Sequence, residues 1–339
     1  MTGPAPATPA PAMRWGVSGT GRAAANFIGE IRRLPGVRVT AVSSHQPGRA
    51  AAFAAGQGIP VACDSAAALA ERDDVDIVYV AGAHPDHRAD AEAALRRGKP
   101  ALVEKPMTLR AADTAALAGL ARERGVFLME GMWTRCFPAM EQAREWIQDG
   151  AIGDVRAIRV DIGHAVPFDP ASRLFDPARG GGALLDLGVY ALALISWCWD
   201  ARPDTAHGLP RMNRAGTDSG CAIALSWRDG RLAAALCALD QHLSREATLY
   251  GERGRIVFPA PFWRPTHAEL LRDDGATGRF EQACEGRGYA YEAGHVMDCV
   301  RAGFIESPLM PLDESVALAA LMDRVRADWP MRYPGDPRT

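Results

Sequence analysis

From Met13 onward the chain alternates short apolar runs with helical stretches, and that alternation narrows the possible folds more than any other feature. Arg14–Ser18, Val37–Ser43, Pro60–Ala62, Asp76–Ala81, Pro100–Glu104 and Val126–Met129 read as strands. Between them, Arg22–Leu34, Pro47–Gln57, Ser65–Glu71, Asp86–Arg97 and Leu109–Arg124 read as helices. Strands separated by helices of this length are joined by crossovers, so residues 13–132 are expected to form a doubly wound α/β domain with a parallel sheet. After Pro138 the texture changes. Gly220–Trp227 and Arg231–Leu239 alternate around Asp229-Gly230, a hairpin signal. Residues 133–339 are therefore expected to be an α+β domain with a large, mostly antiparallel open sheet. Helices are expected at Tyr289–Gly303 and Asp313–Asp328, the second capped by Asp313. Residues 1–12 are rich in Pro, Ala and Thr, lack Lys and Arg and have no apolar centre, which suggests a disordered tail rather than a secretion signal. No internal repeat is visible.

Composition then removes whole classes of function. At 339 residues, 48% hydrophobic and 23% charged, the chain has enough apolar content for two globular domains. A net charge of -3 gives no electrostatic reason to expect nucleic acid or an anionic membrane surface. The most apolar segment, Ala183–Trp199, carries Asp186, Tyr190 and Ser196 and is not expected to span a membrane. Seven cysteines without a CxxC pair suit reduced thiols in a cytoplasm better than disulfides or zinc, so no metal site is expected. Small-molecule chemistry is the default.

Gly19-Thr20-Gly21-Arg22-Ala23-Ala24 closes the first strand and opens the first helix. In that position a GxGxxA turn lets the backbone approach a pyrophosphate at a helix N-terminus. An NAD-preferring site of this kind has an acid at the end of the second strand, and here the stretch is Ser43-Ser44-His45-Gln46-Pro47-Gly48-Arg49. Without a carboxylate there is no repulsion of a 2'-phosphate, while Ser43, Ser44 and Arg49 can donate to one. NADP is therefore expected over NAD, with NAD still possible. In open parallel sheets ligands sit beyond the carboxyl ends of the strands. Glu104 and Lys105 end a buried strand there, and His84 and His87 follow another, placed to contact the nicotinamide ribose or the substrate.

A second motif, Gly180-Gly181-Gly182-Ala183-Leu184-Leu185-Asp186-Leu187-Gly188-Val189-Tyr190, lies in a stretch that reads as helix. Asp186 and Tyr190, four apart, are expected on one face of it. With Lys105 they make the set that alcohol oxidation needs: a base, a cation that lowers its pKa and a carboxylate that orients the cation. A free tyrosine titrates near 10, so phenolate would need the support of Lys105 and of an oxidised nicotinamide. Which of Tyr190 and Lys105 is the formal base stays open. Trp133 and Trp263 suggest a flat pocket for a sugar face or a cyclic diol, and Arg135 is expected to bind a substrate oxygen or anchor a loop.

Taken together, GxGxxA, Glu104-Lys105-Pro106 and GGxxxDxGxY resemble the Gfo/Idh/MocA oxidoreductases. His84-Pro85-Asp86-His87, Trp133-Thr134-Arg135 and Tyr289-Ala290-Tyr291-Glu292 narrow the resemblance to the branch of dimeric dihydrodiol and NADP-dependent D-xylose dehydrogenases. The likeness runs from about Met13 to Arg326. It implies a Rossmann domain followed by an α/β domain with an open antiparallel sheet, a homodimer formed through that sheet, and Trp133 and Trp263 as walls of the substrate site. Two departures stand out: Cys63, where relatives often have tyrosine, and the missing arginine at the end of the second strand. Two rival functions are an inositol or amino-sugar dehydrogenase on the same scaffold, which more often has histidine in place of Tyr190, and a catalytically silent NADP-binding sensor.

Overall fold

The structure, a computed structural model, describes residues 12–199 and 202–336, so the expected N-terminal tail lies outside the described residues except for Ala12. In the first half β1 (Met13–Ser18), α1 (Arg22–Ile31), β2 (Val37–Ser43), α2 (Arg49–Gln57), β3 (Val61–Cys63) and α3 (Ala66–Ala70) follow one another. Then come β4 (Ile77–Val80), α4 (His87–Arg96), β5 (Ala101–Glu104), α5 (Ala111–Arg124) and β6 (Leu128–Gly131). The six strands form one parallel sheet in the order β3-β2-β1-β4-β5-β6. The chain reverses its direction of travel between β1 and β4, which opens a crevice at their carboxyl ends. Strand β4, Ile-Val-Tyr-Val, is buried at every position, as a strand covered on both faces must be. Helix α1 faces the sheet with Ala24, Phe27, Ile28 and Ile31, the spacing of one helical stripe. Phe27 stacks on Tyr79 at 3.8 Å and meets the edge of Trp15 at 5.2 Å, which fixes the glycine turn above the crevice.

The second half contains α6 (Pro138–Gln148), β7 (Val155–Gly163), α7 (Val189–Trp199), β8 (Thr205–Met212), β9 (Asp218–Ser226) and β10 (Leu232–Ala238). It continues with β11 (Ala247–Gly251), β12 (Gly254–Phe258), β13 (His267–Arg272), β14 (Thr277–Glu281), α8 (Tyr289–Arg301) and α9 (Leu312–Val325). Eight strands form a sheet in the order β14-β13-β12-β11-β7-β10-β9-β8, with β7 and β10 parallel and the other pairs antiparallel. The hairpin at Asp229-Gly230 is present and sets Leu232 opposite Ser226. Along β10, Ala233, Ala235 and Cys237 face the core, whereas Leu232, Ala234 and Leu236 face outward. With Leu209, which is 74% exposed, they give the sheet an uncovered apolar face.

Three local expectations are corrected. The run before α7 is a π-helical turn over Leu184–Gly188 rather than α-helix, so Asp186 and Tyr190 are not one ordinary turn apart. Pro177–Trp199 does satisfy the length and apolarity of a membrane span, but 83% of its most apolar window is buried inside the protein, where it is the central core helix. Helix α9 begins at Leu312, and Asp313 lies in its first turn rather than at the cap. Glu306 accepts the Leu312 N–H at 2.8 Å, and the Asp313 carboxylate pairs instead with Arg122 at 2.9 Å.

Candidate active site

A cleft of about 560 Å³ opens where the carboxyl ends of β1, β4 and β5 face the turn that leads into α7. One end is lined by Gly19, Thr20, Gly21, Arg22, Ser44 and Arg49, and the other by Lys105, Trp133, Asp186 and Tyr190. His84, His87 and Glu104 also line it. The volume is in the range of ligand sites.

The first end fits a dinucleotide. Gly19 has φ +122°, and a side chain there would collide with the Ala81 carbonyl. Gly21 is the N-cap of α1, has no side-chain cap, and among the described residues nothing lies within 4 Å of where its Cβ would be. The first N–H groups of α1 are thus presented to the cleft, which suits a pyrophosphate. Two predicted contacts fall elsewhere. Ala24 is fully buried and serves close packing of α1 on the sheet. Ser43 is fully buried too, and its hydroxyl donates to Ser18 Oγ at 3.1 Å instead of facing a 2'-phosphate. Ser44 and Arg49 do line the cleft, with the Arg49 guanidinium held by Gln46 Oε1 at 2.8 Å. The carboxylate missing from the end of β2 arrives from α4: buried Asp90 takes Ser18 Oγ at 2.7 Å and His45 Nε2 at 2.8 Å. Burial alone would lower the His45 pKa, but Asp90 and Asp86 outweigh it and raise the imidazole above its usual value. No local pattern announces this pair, because its members are 45 positions apart.

At the other end the predicted trio assembles with a changed wiring. Gly182, at φ +118°, lies so close to Asp218 that a side chain there would collide with its carboxylate. Asp218 Oδ2 accepts the Leu184 N–H at 2.8 Å and so anchors the start of the π turn. Lys105 Nζ donates to the backbone carbonyl of Asp186 at 2.7 Å and stands 3.8 Å from its carboxylate. That carboxylate is bound by Arg173 Nη2 at 2.9 Å. The lysine is therefore held by the main chain of residue 186, and the carboxylate is shared between two cations. Lys105 sits over the Tyr190 ring, 4.6 Å from its centre. The hydrogen bond to the phenol oxygen comes from Trp133, whose Nε1–H donates at 2.9 Å.

Burial sets the protonation of this end. It raises the Asp186 carboxyl, but Lys105, Arg173 and His84 overcome it and hold the group well below the usual carboxylate range. Lys105 is lowered by burial against the pull of Asp186 and Glu104. Tyr190 is pushed well above 10 by burial, then by Glu104 and Tyr289, so the phenol is neutral. His84 is kept neutral by burial and by His87. Its Nδ1–H donates to the Gly180 carbonyl at 2.9 Å, and that of His87 to Pro106 at 3.1 Å.

Among the expected substrate contacts, Arg135 takes its loop-anchoring alternative and Trp263 is corrected. Arg135 is buried in an ion pair with Glu314 and donates to the carbonyl of Ala193 at 2.8 Å, so it anchors the loop after β6 to α7 and α9. Trp263 does not line the cleft. It stands behind His164 with ring centres 5.3 Å apart, and its carbonyl accepts from Thr134 at 2.7 Å. His164, Arg173 and Tyr289 line the cleft without having been foreseen. His164 and Arg173 come from loops whose sequences carry no motif, and Tyr289 opens a helix whose motif marked the family resemblance without marking a site residue.

The residues of both halves match known proteins. Residues 13–132 match the model of an oxidoreductase family with an NAD-binding Rossmann fold, and residues 140–257 that of the GFO/IDH/MocA C-terminal domain. The trans-1,2-dihydrobenzene-1,2-diol dehydrogenase of Bos taurus is 34% identical over 334 residues, covering 96% of this chain and 99% of the relative. The enzyme of the same name from Homo sapiens is 33% identical over 335 residues, covering 96% and 100%. Among solved structures, the 3-ketoreductase KijD10 from Actinomadura kijaniata, in complex with NADP and TDP-benzene, superposes with a TM-score of 0.82 at 27% identity. That likeness covers 93% of this chain and 97% of the other.

Proposed function

Because this chain belongs to the Gfo/Idh/MocA oxidoreductases and is an NAD(P)-dependent dehydrogenase acting on CH–OH groups, we propose that its substrate is a trans-dihydrodiol, a cyclic polyol or an aldose and its preferred cofactor NADP. The observation that carries the reading is one cleft joining the Gly19–Gly21 turn to Lys105 and Tyr190. Names of the relatives support the substrate class, and the NADP in the KijD10 complex supports the cofactor. So do Ser44, His45 and Arg49 at the end of β2, where the nearby Asp90 carboxylate is taken up by Ser18 and His45.

Gly19, Thr20, Gly21, Arg22, Ser44 and Arg49 would hold the cofactor, and His84 and His87 would face its nicotinamide ribose. When bound, it supplies the acceptor or donor of a hydride. Tyr190 exchanges a proton with the substrate oxygen, and Lys105, an ammonium over the same ring, stabilises negative charge on that oxygen or on the phenol. The Asp186 carbonyl keeps Lys105 in place, and Arg173 holds the Asp186 carboxylate. The phenol, neutral before reaction, is in the state required to protonate a carbonyl, so the same groups serve reduction. Trp133 and Tyr289, stacked at 4.8 Å, form a flat wall for a ring.

The outward face of the large sheet supports a homodimer, since Leu209, Leu232 and Leu236 are exposed together. Seven unpaired cysteines support a reducing compartment such as the cytoplasm.

The test is a panel of trans-dihydrodiols, aldoses, inositols and amino sugars with NADP and NAD, followed by absorbance of the reduced cofactor. Turnover of a dihydrodiol or aldose with at least about tenfold preference for NADP is expected, a difference near 1.4 kcal/mol. Turnover confined to inositols or amino sugars would replace the substrate class. Cofactor binding with no turnover would make the chain a sensor.

A further inference from the structure

We propose that Trp133 is a catalytic hydrogen-bond donor, whose indole N–H holds the Tyr190 oxygen, directs the phenol's own proton into the cleft and stabilises the phenolate left behind. This rests on the dehydrogenase reading above and adds a working group to it.

Trp133 opens the short turn Trp133–Cys136 directly after β6 and is 7% exposed. Its Nε1 lies 2.9 Å from Tyr190 Oη. An indole N–H donates and never accepts, so in this bond the phenol oxygen is the acceptor and its own hydrogen must point elsewhere. Lys105 does not compete for the oxygen, because its ammonium lies over the ring and donates to the Asp186 carbonyl. The phenol proton is left for whatever occupies the cleft that Tyr190 lines.

In the reductive direction the Tyr190 O–H bond breaks and its proton forms the O–H of the product alcohol, as the carbonyl carbon gains the hydride that the cofactor supplies. The electron pair of the broken bond stays on the phenol oxygen, where the Trp133 N–H already points. Oxidation is the reverse: the phenolate takes the alcohol proton. A hydrogen bond made to the charged form favours that form, and in a dry site it acts more strongly than in water. Burial, Glu104 and Tyr289 all oppose ionisation of Tyr190, and the bond from Trp133 favours it.

The indole is fixed from two sides. Tyr289 stacks on it at 4.8 Å and 21°, and Phe137 meets it edge-on at 6.2 Å. Tyr289 begins α8, and the carboxylate of Glu30 from α1 accepts the N–H groups of Arg287, Gly288 and Tyr289 at 2.6, 3.0 and 3.0 Å. Glu30 and Tyr289 are thus positioning residues: one carboxylate on the cofactor-binding helix sets the helix start that holds the donor.

The test uses the full-length protein with NADP bound and tryptophan labelled with nitrogen-15. The indole N–H signal of Trp133, assigned by its loss in Trp133→Phe, is expected to move upfield in Tyr190→Phe; an unmoved signal overturns the proposal whether or not a substrate is known. In oxidation kinetics Trp133→Phe should lower kcat about tenfold or more, the effect of one hydrogen bond to a charged group. It should also move the limb that rises with phenol ionisation to higher pH by roughly one unit. Glu30→Ala, with the indole still present, should move that limb less and in the same direction. A raised KM with an unmoved limb would make Trp133 a wall only. Should the wild type turn over no substrate, the dehydrogenase reading fails by itself. The donor is then judged by the tyrosinate absorbance lost in Tyr190→Phe, whose midpoint must rise in Trp133→Phe for the proposal to stand.

Discussion

In the proposed reaction Lys105 and Tyr190 carry the chemistry, and their contacts set what each substitution should do. Tyr190→Phe deletes the exchangeable proton and Lys105→Met the ammonium 4.6 Å from the ring centre. Each is expected to reduce kcat by about 10²-fold or more, the scale of general acid–base catalysis, with an unchanged far-ultraviolet circular dichroism spectrum. Full activity in either would remove that residue from the mechanism. His45 makes a prediction about pH. Its pKa is raised above 6.5 by Asp90 and Asp86, so the imidazolium persists to higher pH than in a free histidine and is lost as pH rises through the raised value. Since only the cation attracts a 2'-phosphate, the NADP-to-NAD ratio of kcat/KM should fall several-fold between about pH 6 and about pH 9. His45→Ala should give a flat ratio, and an unchanged slope in that variant would show that His45 does not face the phosphate. Ser44, Arg49 and Lys105 were legible in the sequence because strand ends mark the crevice. Arg135 and Ser43 were not, because only packing reveals that a charged or hydroxyl side chain has been claimed by Glu314 or by Ser18.

At the scale of elements, the turn Leu184–Gly188 depends on Asp218, a β9 residue whose carboxyl is raised from 3.8 to about 6 by burial, against the pull of backbone N–H groups that include that of Leu184. A raised carboxyl means that the folded state holds the proton more tightly than the unfolded chain. Its contribution to stability is fully present below about pH 4 and is lost as pH rises through about 6. A shift of two units corresponds to about 3 kcal/mol. Asp218→Asn carries no charge at any pH. Relative to wild type, its urea-unfolding free energy should therefore gain by up to about 3 kcal/mol between about pH 4 and about pH 8. Equal differences at both values would show that the carboxylate is compensated. The βαβ half was legible at this scale because its strands and helices alternate with distinct periods. The π turn was not, since an extra residue in a helical turn leaves no mark on an apolar sequence, and it is the Asp218 contact from a distant strand that holds it.

For the molecule as a whole, the uncovered sheet face is the feature with the largest consequence. Ala222 stands opposite both Leu209 and Leu236, and Ala224 opposite Ala234, so small and branched residues alternate over three strands, β8, β9 and β10, with few charges among them. A second copy of the chain would cover this face, and a stable pair buries about 800 Å² on each partner. Sedimentation should show a dimer at micromolar concentration, and Leu236→Arg together with Leu209→Arg should yield a folded monomer. A wild-type monomer would refute the assignment. The sequence alone determined the two-domain order, the glycine turn, the apolar strands that end in Lys105, and the presence of a lysine, an aspartate and a tyrosine suited to hydride-transfer chemistry. These are local patterns, written in the spacing of neighbouring residues. Tertiary structure decided which atoms meet. It gave Lys105 a main-chain carbonyl to bind, gave Asp186 a second cation, turned Trp263 behind His164 and brought the Trp133 indole to the phenol oxygen. Such contacts join residues up to 129 positions apart, and no local pattern encodes them because they exist only once the two sheets have packed.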